Sequence, residues 1–163
     1  MSILLSGSEC WTTYRHQERR LNAFHLRCLR SILGVTWRDH IPNTEVLGRL
    51  QCLDIRTILQ KRRIRWTGHV LRMSDSRLPK SILYGELADS PRPRGRPKLR
   101  FKDVLKRDLQ RFNIDTGNWE KAAKSRLEWR QAIHQGSLQA HRKYLQECDA
   151  RRAARGRRAD RQQ

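Results

Sequence analysis

The sequence predicts an all-α fold: a small irregular helical bundle with a basic extended loop and a basic C-terminal tail. Apolar residues recur at three- and four-residue spacing in successive stretches, and no stretch alternates apolar with polar residues over a useful length. Residues that start or stop helices punctuate the stretches, and no internal repeat divides the chain.

Residues 1–13 form a poorly specified lead. Thr12 or Thr13 is placed to cap a helix over residues 14–33. Tyr14, Leu21, Phe24, Cys28, Leu29 and Ile32 share one face of it, Arg15, Arg19, Arg27 and Arg30 the other, and Gly34 is a natural stop. A loop through Trp37 and Pro42 leads to a short helix near residues 44–50, with Asn43 as its cap. Asp54 caps the next helix, over residues 55–73.

That helix carries two apolar stripes. Ile55, Ile58, Leu59, Trp66, Val70 and Met73 fall on one face, and Ile64, Gly68 and Leu71 on the opposite one. A surface helix needs only one stripe. The second implies either a helix clamped between layers or a docking face at Ile64 and Leu71, open to self-association or to another protein.

Pro79 suits the first turn of a short helix reaching residue 84 or 87. A loop follows with Arg92, Arg94, Arg96, Lys98 and Arg100 at every second position, held extended by Pro91, Pro93 and Pro97. The next helix, over residues 99–112, aligns Phe101, Val104, Leu105, Leu109 and Phe112, with Lys102, Lys106, Arg107 and Arg111 behind. Trp119 opens a short helix. Ser125 and Glu128 form a capping box that restarts the chain, with Trp129 and Ile133 pointing inward. Past Gly136 the pattern decays, and residues 151–163 hold six arginines and one aspartate. The expected organisation is a lead (1–13), a helical domain (14–134) and a basic tail (135–163), disordered or marginally helical.

Apolar residues make up 37 % of the chain, and with nine glycines they fall a little below the globular norm of roughly 45–50 %. The formal charge is +20. It is unevenly spread: residues 1–50 carry 7 basic and 4 acidic residues, residues 51–100 carry 13 and 4, and residues 101–163 carry 16 and 8. Self-repulsion of that size opposes compaction, so a polyanionic partner is the economical explanation.

Cys10, Cys28, Cys52 and Cys148 lack the short spacings of a zinc knuckle or redox motif. All four read as reduced thiols of a nuclear or cytoplasmic protein. Ile3 to Leu5 is too short for a secretion signal, and no segment approaches membrane-spanning length. No phosphate-binding glycine loop, adjacent aspartate pair or nucleophile–base motif is present. The expectation is a non-enzyme without metal or cofactor, whose partner is nucleic acid: DNA, RNA or a hybrid.

The expected contacts are Arg63 and Arg65 on the 55–73 helix, Arg92, Arg94, Gly95, Arg96, Pro97, Lys98 and Arg100 in the loop, and Lys102 and Lys106 beyond it. Arg94, Gly95, Arg96 and Pro97 look like the core of an AT-hook, in which arginines lie along the narrow minor groove of A·T-rich DNA and glycine permits close approach. Among the tryptophans Trp66, Trp119 and Trp129 fall at apolar helical positions, which leaves Trp37, in a loop beside Arg38, as the candidate for base stacking.

Several stretches together resemble the region that follows the polymerase core in reverse transcriptases of non-LTR retrotransposons. They are LNAFHLRCLRSILGVTWRDHIPNTEVL (residues 21–47), RIRWTGHVLRM (63–73), RLPKSILYGEL (77–87), RGRPKLRFKDVLKRDL (94–109) and the pairs Trp119-Glu120 and Trp129-Arg130. The resemblance covers roughly residues 6–134. Ser6 precedes Gly7, Ser8 and Glu9 where the family usually has tyrosine. The resemblance implies a thumb-like helical region, past the palm, that holds a template–primer duplex and works with a polymerase core. It also implies a C-terminal remnant, with the palm's metal-binding aspartates and the endonuclease upstream of Met1. A minor-groove chromatin protein reading A·T-rich DNA through the loop, or a relic without function, are the alternatives.

Overall fold

The computed structural model of the chain describes residues 3–85, 95 and 98–160, the last three as backbone only. Among them are seven α-helices and no strand: α1 (Arg15–Ile32), α2 (Asn43–Arg49), α3 (Ile55–Leu71), α4 (Leu78–Tyr84), α5 (Phe101–Arg111), α6 (Trp119–Lys124) and α7 (Arg126–Asp160). The all-α expectation holds, and the starts and stops of α1 to α5 and the start of α6 fall within two residues of the expected ones.

Three helices end in the same way. After α1, Gly34 has φ 65° and after α2, Gln51 has φ 49°, while Asn113 has φ 54° after α5. At each end two amides fold back onto free carbonyls. Gly34 and Val35 donate to Ser31 and Arg30 at 3.2 and 3.0 Å, Gln51 and Cys52 to Gly48 and Leu47 at 3.1 and 3.0 Å, and Asn113 and Ile114 to Gln110 and Leu109 at 3.1 and 2.9 Å. This paired closure satisfies carbonyls that a helix end otherwise leaves open.

The chain packs as two compact units. One takes the described residues up to Thr12 and those from Leu59 to Gly136; the other takes Thr13 to Ile58 and residues from Ser137 onward.

In the first unit the core joins Leu59, Ile64 and Val70 of α3, Leu83 of α4, Val104, Leu105 and Leu109 of α5, and Trp129 and Ile133 of α7. Ile64 is fully buried and Leu71 half-buried, so the expected docking face at Ile64 and Leu71 is not open. Trp129 covers it: a Cβ on Gly68 would stand 2.0 Å from Trp129 Nε1, and that nitrogen donates to the Ile64 carbonyl at 3.2 Å. The clamped-helix alternative is the one observed.

Arg63 is corrected in the same way. Its side chain is 1 % exposed, and its Nε meets Asp108 Oδ2 at 2.6 Å, while Gln60 Nε2 donates to Asp108 Oδ1 at 2.9 Å. A buried, paired guanidinium is unavailable to a phosphate. The lead is also tied down: Leu5 is 2 % exposed and accepts a hydrogen bond on its carbonyl from Arg62, which reaches Ser8 Oγ at 3.3 Å as well.

In the second unit Leu26, Leu29, Val46 and Leu47 form a cluster against which Leu33, Ile41, Leu50, Tyr144 and Leu145 pack. Asp54 caps α3 as expected, accepting from the Thr57 amide at 3.0 Å and the Thr57 hydroxyl at 2.6 Å. His141 Nδ1 lies 3.0 Å from the Asp54 carboxylate. Burial raises the Asp54 pKa, but the hydrogen bonds from His141 and Thr57 outweigh it and hold the carboxyl below its ordinary value. The pKa of the buried His25 is lowered as well, but by burial, which the nearby Asp54 only partly offsets.

The tail from residue 135, expected to be disordered or marginally helical, continues α7 as far as Asp160. Gly136 does not stop the helix. It gives clearance, because a Cβ there would meet the Phe112 carbonyl oxygen at 2.6 Å and its side chain at 2.7 Å. Ser137 and Ala140 beyond it are each 1 % exposed, and Tyr144 and Leu145 join the second unit's core, which anchors the helix well past its expected end.

Candidate nucleic-acid interface

Within the first unit α3 and α7 line a groove of about 760 Å³. From α3 come Lys61, Arg62, Arg65, Trp66, His69 and Arg72, and from α7 come Arg126, Trp129, Arg130, Ile133 and His134. Steps of three and four residues keep these side chains on one helix face. Cations four residues apart, as Lys61 and Arg65 or Arg126 and Arg130, stand about 6 Å apart along the axis. Trp129 and Ile133, buried at 2 % and 4 % exposure, give the groove an apolar floor.

The electrostatics are one-sided. Among the described residues six Lys and Arg side chains face the groove against one carboxylate, Glu9, which lies 3.9 Å from Arg62. Among the described residues Lys61, Arg65, Arg126 and Arg130 have no acidic partner within salt-bridge distance. Arg126 stands in the first turn of α7, the end at which the helix dipole disfavours a cation. Burial, and then the like charge of Arg126, lower the pKa of Arg72, whose guanidinium donates to the Ala123 carbonyl. Like charges held together at a helix N-terminus do not stabilise the fold. An anion bound between them relieves the repulsion.

A second groove, of about 510 Å³, adjoins the first. Leu78, Pro79, Ile82 and Leu83 of α4 line it with Cys10, Trp66 and Phe101, and Gly85, Arg100 and Lys102 also line it. Trp66 belongs to both grooves and meets Phe101 edge-to-face, with ring centroids 5.5 Å apart at 79°. Leu78 and Ile82 are 70 % and 69 % exposed. In the second unit a smaller cavity holds Arg15, Arg19, Arg56 and Arg151, but Glu18 and Glu147 share it, and Glu18 pairs with Arg56 at 3.0 Å.

The residues expected from the sequence are thus dispersed. Arg65 lies exposed in the basic groove, and Arg63 does not reach it. Lys98, Arg100 and Lys106 are exposed, and Lys102 donates to the Tyr84 carbonyl at 3.1 Å. Arg92, Arg94, Arg96 and Pro97 lie outside the described residues. Gly95 has φ 108°, a backbone conformation that side-chain-bearing residues rarely adopt. Trp37, in the second unit, is 78 % exposed with the Arg38 guanidinium 5.6 Å from its ring centroid, which suits a stacking surface.

The sequence reading missed Lys61, Arg62, Arg72, Arg126 and Arg130 as a set. Arg126, Arg130 and His134 repeat every fourth residue beside the inward Trp129 and Ile133, and that spacing was the available signal. Among the described residues no group of three or more His, Cys, Asp or Glu is placed to hold a metal, and no helix is long and apolar enough to cross a membrane.

No family model and no solved structure matches the chain. It is similar to a Caenorhabditis elegans protein whose name reads "Putative uncharacterized transposon-derived protein": 27 % of positions are identical over 146 residues, which cover 84 % of this chain and 52 % of that protein. The chain therefore spans about half the length of that relative.

Proposed function

We propose that the chain is a non-catalytic nucleic-acid-binding module of transposon origin, the thumb-like region of a non-LTR reverse transcriptase, which grips a phosphate backbone in the groove of α3 and α7. The observation that carries this reading is the convergence of Lys61, Arg62, Arg65, Arg72, Arg126 and Arg130 on one concave surface where the described residues offer them a single carboxylate. Similarity to a transposon-derived protein supports it from a separate direction. In this reading a polymerase core, in the same or another chain, makes the new bonds, and the module holds the strand while they form.

Cations aligned at about 6 Å intervals suit a polyanion with regularly spaced charges better than a single small anion. Such binding is driven by counterion release and depends weakly on base sequence.

Titration of RNA–DNA hybrid, duplex DNA and single strands across a salt series tests the reading. With six groove cations engaged, the log–log slope of affinity against salt on duplex is expected near about −5. Arg126→Ala with Arg130→Ala is expected to make it shallower by about two and to weaken all sequences alike. A wild-type slope shallower than about −2, or a double variant indistinguishable from wild type, would overturn the assignment.

A further inference from the structure

We infer that the groove of α4 and α5 receives unpaired nucleobases of the strand whose phosphates lie in the basic groove, so that the module's preferred ligand is a single strand or a frayed end. The inference rests on the phosphate-gripping reading and deepens it.

The two grooves share a wall. Trp66 lines both, with cations on its one side and an apolar surface on its other. The second groove, about 510 Å³, is of the size that holds small organic ligands. Its lining is what a base needs: the aromatic rings of Trp66 and Phe101 and the aliphatic Leu78 and Ile82, open to solvent. Bases stack on such surfaces with little regard to identity, because every base has a π-face.

The charge pattern selects this occupant over a peptide. Arg100 and Lys102 stand at the apolar groove just as Lys61 and Arg65 stand at the basic one. A strand that runs from one groove into the other past Trp66 finds cations in both. A nucleic acid alternates phosphate and planar base along its length in that way, whereas a duplex keeps its bases stacked inside and presents only phosphate and groove edges.

The experiment compares oligonucleotides of one length and charge, as DNA and as RNA, with bases present or with an abasic run at the centre. Wild type is expected to bind the base-bearing strand at least about fivefold more tightly than the abasic one, the lower end of what one stacked base contributes. Trp66→Ala is expected to abolish the difference. Since Trp66 also packs on Phe101, Leu78→Ser with Ile82→Ser supplies a second variant at exposed positions, with the same expected loss. Equal wild-type affinity for both strands overturns the base pocket while leaving the phosphate groove standing. Base-bearing strands bound as tightly by Leu78→Ser with Ile82→Ser as by wild type also overturn it, and point to a protein segment as that groove's occupant. Failure of wild type to bind any strand overturns the underlying reading instead.

Discussion

Trp129 lies where a side chain at position 68 would be: a Cβ built on Gly68 falls 2.0 Å from its Nε1 and 2.5 Å from its Cδ1. The glycine is therefore a receptor for the indole and not a weak point in α3. Alanine normally stabilises a helix interior by about 1 kcal/mol over glycine. Overpacking a filled core costs about 1–3 kcal/mol, and here it also displaces the indole from its hydrogen bond to Ile64. Gly68→Ala is expected to lower stability by about 2 kcal/mol in urea unfolding. A gain in stability would show that the indole moves aside freely.

The Arg63–Asp108 pair gives a second expectation. With both side chains almost fully buried, removing one leaves a charge without its partner, which costs about 3–5 kcal/mol. Asp108→Ala is expected to unfold the first unit or to lower its denaturation midpoint sharply. Arg63→Met with Asp108→Leu removes both charges together and is expected to be far milder, often neutral for such pairs. The double variant is also expected to bind nucleic acid as wild type does, since Arg63 does not reach the groove. Weakened binding by a folded double variant would return Arg63 to the interface.

Acid is expected to destabilise the second unit in two stages. His25 is depressed by burial, so below the unfolded histidine value, about 6.5, the unfolded chain takes up a proton that the folded chain resists, and stability falls with pH. Asp54 is also held low, burial being outweighed by its hydrogen bonds from His141 and Thr57. Its contribution is complete above the unfolded aspartate value, about 3.9, and is lost as pH falls through the folded value. Among the described residues His25 Nδ1 has no hydrogen-bond partner, so His25→Leu is expected to fold at pH 8 and to lose the first stage alone. An unchanged profile between pH 7 and 5 in that variant, followed by urea midpoints, would remove His25 as its source.

Several helices were legible by their punctuation, Asp54, Pro79 and Ser125 at starts and Gly34 at a stop, whereas α1 and α2 are capped by Tyr14 and Pro42 and not by the expected Thr12 or Thr13 and Asn43. The two stripes of α3 were legible too, and the structure decides between clamped helix and open face by supplying Trp129, which lies 61 positions from Gly68 and has no local signature there. Arg63 was misplaced because, in a chain with 36 Lys and Arg, one more arginine reads as solvated. The sign of its burial lay in its partner: Asp108 falls on the apolar face of α5, between Leu105 and Leu109, where an unpaired carboxylate is costly. The continuation past Gly136 was not legible because a glycine that ends a helix and one that lets another chain segment approach look alike in sequence. Ser137, Ala140 and Tyr144, at helical spacing beyond it, argue for the second.

Glu9 offers a test of the groove that adds no bulk and removes no cation. It is the one carboxylate among the described lining groups and stands 3.9 Å from Arg62. An exposed pair of this kind contributes about 0.2–1 kcal/mol, so neutralising it costs the fold little and strips one repulsion from the path of a phosphate. Glu9→Gln is expected to tighten nucleic-acid binding by up to about fivefold at low salt, with the gain shrinking as salt rises. Weaker binding would mean that Glu9 orients Arg62 and does not oppose the ligand.

The basic loop and the basic groove make separable contributions. Residues 92–100 alternate cations with prolines and glycine, so part of the backbone freedom is already removed before binding. The groove's cations are fixed on two helices. Both are expected to lower affinity when cut, but in different patterns. Arg126→Ala with Arg130→Ala removes phosphate contacts and is expected to act equally on A·T-rich and G·C-rich duplex. If Arg94 and Arg96 enter a minor groove, Arg94→Ala with Arg96→Ala weakens A·T-rich duplex more, because arginine gains most where that groove is narrow and its potential most negative. If they meet only phosphate, the loss is equal on both duplexes and the salt slope falls by about two, as it does for the groove pair. Combining the two pairs is expected to give additive losses, since they act on different stretches of the ligand. A loop variant that binds every substrate as wild type does would leave the α3–α7 groove as the seat of binding, with the loop as connector.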